Sequence, residues 1–456
     1  MKIRHAVPLL LTSVAGLFFF HSQIATSVDF FARDPGVRGG VDAGGPLSGL
    51  TANQRAFFDQ GLEEFNSVED VADGLGPTMN LDACGGCHAQ PAAGGTSPKV
   101  NPQVAFATLR GADNKLPAFI RLNGPVREAR FVKNADGSPD GGVHAIFTIQ
   151  GRDDAPGCVL GQPDFATQLA NRNVIFRIPT PVFGAGLIEE ITDTTILINR
   201  SRDSSTKSAL GISGRPNRNG NDGTISRFGW KAQNQSLIIF SGEAYNVEMG
   251  ISNELFQSER DQTPSCQFAT VPNDVQNTDA AVNAATRLAA ALAATPAVLN
   301  FANFQRFLAA PKPDPDTPGG SNSIGRGKSL FSSIGCALCH TPSMRTGNAT
   351  VEALRFQTAN LYSDLLIHDM GVGLADNVSQ GAATGREFRT APLWGLGQRV
   401  FFLHDGRTSD LLEAIQAHQS GRTTSGDASE ANAVVRSFNA LAEGAKQDIL
   451  NFLRSL

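Results

Sequence analysis

Apolar residues along the chain recur mostly at helical intervals, separated by stretches rich in glycine, proline and asparagine. Thr51 caps one helical stretch, in which Phe57, Phe58, Leu62 and Phe65 share a face interrupted by Gly61. Ala280 to Ala293 reads as an alanine-rich helix ended before Pro296, and an amphipathic helix through Ile449, Leu450, Phe452 and Leu453 closes the chain. Val143 to Gln150, with Ile146, Phe147 and Ile149, alternates enough to read as a strand. Pro35 to Leu50 is a Gly-rich loop, and residues 200–225, polar and rich in Gly and Asn, predict a long surface excursion. The expected fold is mainly α with minor β.

Two segments stand outside this pattern. At the start, Lys2 and Arg4 precede an uncharged, mainly apolar run from Ala6 to Phe20, with small residues at Ala25 and Ser27. That is the layout of an export signal over 1–27. The alternative is an uncleaved anchor, but a spanning helix needs ~20 apolar residues and this run is shorter. Further on, the prolines between Pro311 and Pro318, followed by Gly319-Gly320, forbid a continuing helix and mark a linker. Residues 28–310 and 324–456 then form two domains joined by 311–323, the second opening at Gly325-Arg326-Gly327-Lys328-Ser329-Leu330-Phe331. A net charge of −5 argues against a nucleic-acid partner, which wants a basic face.

Cysteine chemistry changes the picture. Cys336-Ala337-Leu338-Cys339-His340 repeats the form of Cys84-Gly85-Gly86-Cys87-His88. Two cysteines two residues apart with a histidine directly after form the attachment signature of c-type haem. One turn of chain offers both thiols to a single porphyrin and holds the histidine beneath the iron. Cys84, Cys87 and His88, and Cys336, Cys339 and His340, are therefore expected to carry two covalently attached haem c groups. The competing arrangement is a Cys₄ zinc site, whose pairs usually lie ~15–20 residues apart, far closer than these. Tryptophan and tyrosine number two each against 29 phenylalanines, so packing around the cofactors falls to Phe. Cys158 and Cys266 remain, and in an exported chain an even remainder suggests a disulfide, the alternative being two buried thiols.

The far-side iron position decides between an electron carrier and a site open to small oxidants. Outside the leader and the two motifs the histidines are His144, His368, His404 and His418. There is also a loose internal echo. Phe176-Arg177, then Phe228-Gly229-Trp230 and a helical segment to Gly250, resembles Phe388-Arg389, then His404-Asp405-Gly406-Arg407 and a helical segment to His418.

The run from Leu361 through His368-Asp369-Met370-Gly371, Phe388-Arg389-Thr390-Ala391-Pro392-Leu393-Trp394-Gly395 and His404-Asp405-Gly406-Arg407 resembles the di-haem oxidoreductase (putative peroxidase) family, also labelled thiol oxidoreductase. That family is similar to bacterial di-haem cytochrome c peroxidases and to the methylamine dehydrogenase maturation enzyme. The resemblance implies two cytochrome-c-like haem domains. In those peroxidases a methionine fourteen residues after the His-X-Gly turn ligates the electron-transfer haem. Here the turn is His404-Asp405-Gly406 and that place is held by His418, with Met370 as the alternative ligand. Their glutamate beside the substrate haem matches Glu248 in Asn246-Val247-Glu248-Met249-Gly250, and their inter-haem tryptophan matches Trp230. Taken alone, these would read as a solvated helix glutamate and a core aromatic. The usual distal histidine has no counterpart between His88 and His144, so the first haem is expected to be five-coordinate, with His144 the alternative sixth ligand. His368 and His404 are read as second-layer donors or turn formers.

The implied activity is a periplasmic peroxidase-like oxidoreductase, its C-terminal haem relaying electrons to an oxidant-binding N-terminal haem. Its partners would be a small electron-donor or electron-acceptor protein and peroxide or a similar small oxidant, with no stable membrane span once the signal is removed. The rival is a non-catalytic di-haem electron carrier, which needs both irons saturated by protein ligands.

Overall fold

The computed structural model describes residues 31–39, 43–282, 284–421 and 426–456. Ala32–Leu456 forms one compact unit. The leader expected over 1–27 lies outside the described residues. Within Ala32–Leu456 helices carry the architecture, and the strands are only two to four residues long. No helix among the described residues is long and apolar enough to cross a membrane.

The first helix, Ala52–Asn66, opens with a capping box. Thr51 accepts from the Gln54 backbone while the Gln54 side chain reaches back to the Thr51 N–H. Its inner face buries Phe58 and Phe65 against Ala297–Phe307. The two helices cross at Gly61, where a Cβ would lie 2.3 Å from the Asn300 carbonyl oxygen. Phe304 fills the adjoining space, its ring 4.7 Å from Phe65 and 5.5 Å from Phe58. The same device recurs near the C-terminus. Gly320–Ser333 crosses Glu443–Ser455 at Gly327, where a Cβ would meet the Asp448 carbonyl oxygen at 1.9 Å. Phe331, four residues on as Phe65 is from Gly61, packs 5.4 Å from Phe452.

Two apolar cores result. The larger gathers Phe58, Phe65, Phe147, Phe301 and Phe304, and reaches across the proline run to Leu354, Leu361 and Leu365. The smaller holds Phe331, Tyr362, Phe402, Phe438, Ile449 and Phe452. Between Pro311 and Pro318 there is no regular structure, and the next helix begins at Gly320, inside the expected 311–323 linker. The largest sheet has three antiparallel strands, Glu128–Phe131 lying between Val143–His144 and Val174–Arg177. Ile367–Asp369 pairs with Glu387–Arg389.

Two local expectations are corrected and a third gains detail. Val143 to Gln150 is two short strands in different sheets, because Asn80 Oδ1 accepts the Ile146 N–H at 2.7 Å and turns the chain between them. The alanine-rich stretch is divided into Thr278–Val282 and Arg287–Ala294, the second begun afresh by Thr286 capping the Ala289 N–H. Residues 200–225 lie largely exposed, as expected of a surface excursion, but they are not without structure. Helices end and begin there (Asp193–Ser201, Ser204–Leu210), and Lys207, Asn217 and Ile225 are buried. Their polar groups serve the backbone: Asn217 Nδ2 donates to the Lys231 carbonyl at 2.9 Å.

Cys158 and Cys266 are joined by a disulfide across 108 residues of sequence. Closing so long a loop contributes about 4–5 kcal/mol in the chain-entropy account. A non-reduced digest should yield one linked peptide pair by mass spectrometry, and Cys158→Ala/Cys266→Ala should lower the denaturant midpoint accordingly. Two alkylatable thiols in the untreated protein would contradict the linkage.

Candidate functional site

Two cavities lie inside this framework, each built around one Cys-X-X-Cys-His motif. The first encloses about 1140 Å³ including its open mouth. Cys84–Cys87 forms a single helical turn with His88 at its end. A Cβ on Gly85 would sit 2.2 Å from Asn66 Oδ1 and one on Gly86 would sit 2.3 Å from Leu81, so a side chain at either place would push these neighbours aside. His88 Nδ1 donates to the Gly95 carbonyl at 2.9 Å, which fixes the tautomer and leaves Nε2 with its lone pair. Burial pushes His88 down to about 4, and Phe65 stands edge-on to its ring at 5.8 Å. Across the cavity Glu248 projects from the last turn of Leu237–Met249, a helix terminated by Gly250 in the left-handed region. Asn80 holds it in place, its N–H donating to the Glu248 carbonyl at 2.7 Å and Nδ2 to Glu248 Oε2 at 3.0 Å. Burial and then the neighbouring Glu128 carboxyl push Glu248 well above the ordinary carboxylate range. On Glu128, burial is opposed and outweighed by Arg130, so that carboxyl is held low.

The second cavity encloses about 1450 Å³ on the same measure. Cys336–Leu338 is a 3₁₀ turn, and His340 Nδ1 donates to the Tyr362 carbonyl at 3.0 Å. His418 ends the helix Leu411–Ala417 and donates from Nδ1 to the Ala414 carbonyl at 2.7 Å. Both imidazoles thus keep Nε2 free. Burial pushes both down, His340 to about 4, and His418 adds to the effect on His340. Met370 lines the same cavity, before the short helix Gly371–Leu374.

One residue belongs to both cavities. Trp230 lines each of them and donates its indole N–H to the Ile178 carbonyl at 2.9 Å. Its ring is 6.4 Å from His404, which stacks on Phe388 at 4.2 Å. The structure therefore brings Cys84, Cys87, His88, Glu248 and Trp230 to one cavity, and Cys336, Cys339, His340, His418, Met370 and Trp230 to the other. His144 belongs to neither. It stacks on Phe131 at 3.7 Å and pairs with Asp140 at 2.7 Å, and His88 is the sole histidine lining the first cavity. The sequence reading missed Glu128, Arg130 and the cavity arginines. Their signal is a pair of opposite charges two apart on one strand face, and the repeated Phe-Arg pairs at 176–177 and 388–389.

The cavities fit two haem groups. Besides sulfur pairs and anchored imidazoles, each holds guanidinium groups lacking a full set of partners. Arg389 and Arg399 are buried in the second cavity and bonded to the Gly229 and Pro392 carbonyls, with no carboxylate partner among the described residues. Burial lowers both to about 10. In the first, Nε of Arg127 and of Arg177 is buried and unpaired. Buried cations need anions, and haem propionates would supply them. Burial pushes the Cys84 and Cys336 thiols up to about 12, so neither is a thiolate nucleophile. The two sulfur pairs stand in separate cavities, and no cluster of three or more metal-ligating side chains occurs among the described residues, which leaves no Cys₄ zinc site there.

The family described as di-haem oxidoreductase, putative peroxidase, matches residues 126–456, a span containing the second motif, Trp230, Glu248 and His418. The chain belongs to that family. The first motif, at 84–88, precedes the matched span, so it rests on the cavity geometry above. No curated protein matches this di-haem oxidoreductase. Among solved structures it is similar to hydrazine synthase of Kuenenia stuttgartiensis, determined under 20 bar of xenon, at 13% identity with a TM-score of 0.34, covering 99% of this chain and 100% of that one.

Beside the second cavity His368 is buried with Nε2 on Asp364 at 2.9 Å and Nδ1 on Glu430 at 2.7 Å. Burial works against its charge, yet the Cys339 sulfur and Asp364 raise it well above its ordinary value. Burial also opposes charge on Glu430, but His368 and Ser213 bring that carboxyl down to about 2. The signs are opposite. Glu430 contributes stability above its ordinary 4.5, lost as pH falls toward 2, while His368 contributes fully below 6.5 and its share is lost as pH rises through its raised value. The stability difference between the protein and His368→Gln should therefore be greatest at about pH 5.5 and shrink on both sides. Denaturant midpoints across pH measure it, and a difference independent of pH would contradict the assignment.

Proposed function

We propose that the protein is an exported di-haem c-type oxidoreductase that reduces peroxide at its first cavity with electrons passed from the second. Each half would be a cytochrome-c-like haem domain, with haem covalently attached to Cys84 and Cys87 and to Cys336 and Cys339. The observation that carries this reading is the asymmetry of the cavities. One is lined by a single histidine and by Glu248, a carboxyl that burial keeps protonated. The other is lined by four histidines, two of which, His340 and His418, have Nδ1 tied to a backbone carbonyl.

When bound, the haems supply iron-centred electron storage and a place for an oxidant. The chain supplies the rest. His88 and His340 would hold the two haems, each with a carbonyl-bonded Nδ1 that raises its basicity. His418, anchored in the same way, would be the second protein group offered to the C-terminal haem, ahead of Met370. His144 is engaged with Phe131 and Asp140, and no histidine besides His88 lines the first cavity, so the chain would leave room there for a small oxidant. Glu248, fixed by Asn80, holds a proton where a bound peroxide needs one. Trp230 bridges the cavities and gives electrons a packed route. The cysteine pair at 158 and 266 fits an oxidising compartment, and the electron source would be a small redox protein.

Two variants test the reading. Glu248→Gln should slow reaction of the reduced protein with hydrogen peroxide by about 10²–10⁴-fold in stopped-flow absorbance, leaving the low-spin spectrum in place. His418→Ala should retain both covalent haems on a denaturing gel and convert the low-spin signal in EPR to high-spin. If Met370→Ala does this instead, the ligand is the methionine, and a protein inert to peroxide in either redox state would refute the peroxidase reading.

A further inference from the structure

Glu248 is not alone among carboxyls lining the first cavity. Glu128 begins the central strand of the three-stranded sheet and lines the same cavity as Glu248, near enough for each carboxyl to act on the other. Two buried carboxylates side by side repel too strongly for both to ionise, so one carries a proton. The proton's place follows from the bonds each makes. Glu128 Oε1 accepts from Arg130 Nε at 2.5 Å, an arrangement that favours the carboxylate. Glu248 Oε2 accepts only the neutral amide of Asn80, at 3.0 Å. The remaining charged groups that act on the pair are Arg177 and Arg260, with Glu243 acting on Arg130. Resting Glu248 is therefore the acid and Glu128 the base.

We propose that Glu128 and Glu248 act as a one-proton carboxyl pair that carries both proton transfers of peroxide cleavage. The proposal rests on the peroxidase reading above and adds a residue to it. Glu128 takes the proton from the near oxygen of hydrogen peroxide while Glu248 gives its proton to the far oxygen. The O–O bond breaks with its electron pair on the far oxygen, which leaves as water. The near oxygen accepts two electrons from the small redox protein and two protons from solvent, and leaves as a second water. The pair ends with one proton, now on Glu128, and resets when that proton passes to Glu248. A lone glutamate would have to collect and deliver the same proton in turn. The pair does both at once from two rigid elements, a strand and a helix end.

The test is an infrared pH titration of the oxidised holoprotein. A protonated carboxyl C=O band should be present at neutral pH and absent in Glu248→Gln. The wild-type-minus-variant difference separates it from Glu69 and Glu259, which burial pushes up to about 7. In Glu128→Gln the neighbouring negative charge is gone, so the pH at which the Glu248 band disappears should fall by at least about one unit, tenfold in proton affinity. The pH profile of the peroxide reaction should lose its base limb in the same variant. If Glu128→Gln yields no holoprotein, Glu128→Asp takes its place: the shorter side chain withdraws from Glu248, and the same direction of change is expected. A band that Glu248→Gln leaves in place, or that Glu128 variants do not move, overturns the pair. A pair present in a protein inert to peroxide overturns the transfer roles together with the peroxidase reading, whereas peroxide reactivity without the pair overturns the pair alone.

Discussion

The two halves of the site are held together by a reciprocal exchange of backbone hydrogen bonds. The Ile178 N–H, just past the strand Val174–Arg177, donates to the His404 carbonyl at 2.8 Å. The Arg389 N–H, at the end of the strand Glu387–Arg389, donates to the Trp230 carbonyl at the same distance. Each loop is closed on itself by a bridge between residues six apart, Phe228 to Asn234 and Phe402 to Thr408. The strand of one cavity thus carries the loop of the other. Neither Trp230 nor His404 can move without disturbing both cavities, and this is what fixes the indole between them.

Charge reinforces the joint. Lys231 is fully buried beside Trp230, its Nζ 3.0 Å from Asp376 and bonded to the Thr384 and Glu387 carbonyls. Arg177 meets the other oxygen of Asp376 at 2.7 Å. The Lys231 ammonium also lies 4.0 Å from the centre of the Phe388 ring, whose face stacks on His404. Ions so deeply buried are a poor source of net stability but a strong source of registry, because breaking one partner leaves an uncompensated charge at about 3–5 kcal/mol. Burial lowers Lys231 to about 8, a cost that the carbonyl cage and Asp376 offset. The cluster sets the relative position of the two cavities where electron transfer would depend on it.

Much of this was legible in the sequence for a chemical reason. A Cys-X-X-Cys-His motif needs residues at fixed local spacing, so both cavities could be located by reading along the chain. Helices with caps and crossing glycines, such as Thr51 with Gly61, were equally local. The Phe-Arg echo at 176–177 and 388–389 was visible too, though its meaning was not, since the exchange it serves joins residues far apart in sequence, Ile178 with His404 and Arg389 with Trp230. What escaped was decided by partners distant in sequence. Asn80 splits the stretch after Val143 into two strands, and Asn217 anchors a largely exposed polar segment by donating to the Lys231 carbonyl. Glu128 escaped for the same reason: a glutamate two residues from an arginine on a strand looks solvated until Glu248 arrives from a helix more than a hundred residues later.

The repeated layout also explains how one framework supports two unlike sites. In each half the bridged loop leads to a helix whose C-terminal end lines the cavity that holds the motif histidine. The first such helix, Leu237–Met249, delivers Glu248, and the second, Leu411–Ala417, delivers His418. Position is conserved between the halves while chemistry is exchanged, a carboxyl in one place and an imidazole in the other. An imidazole with Nδ1 tied to its own helix is left with Nε2 as its free lone pair. A carboxyl in the equivalent place, with Glu128 beside it, offers a proton instead. On the proposed reading the same backbone would close one site and keep the other open, and the choice would lie in a single side chain at each helix end.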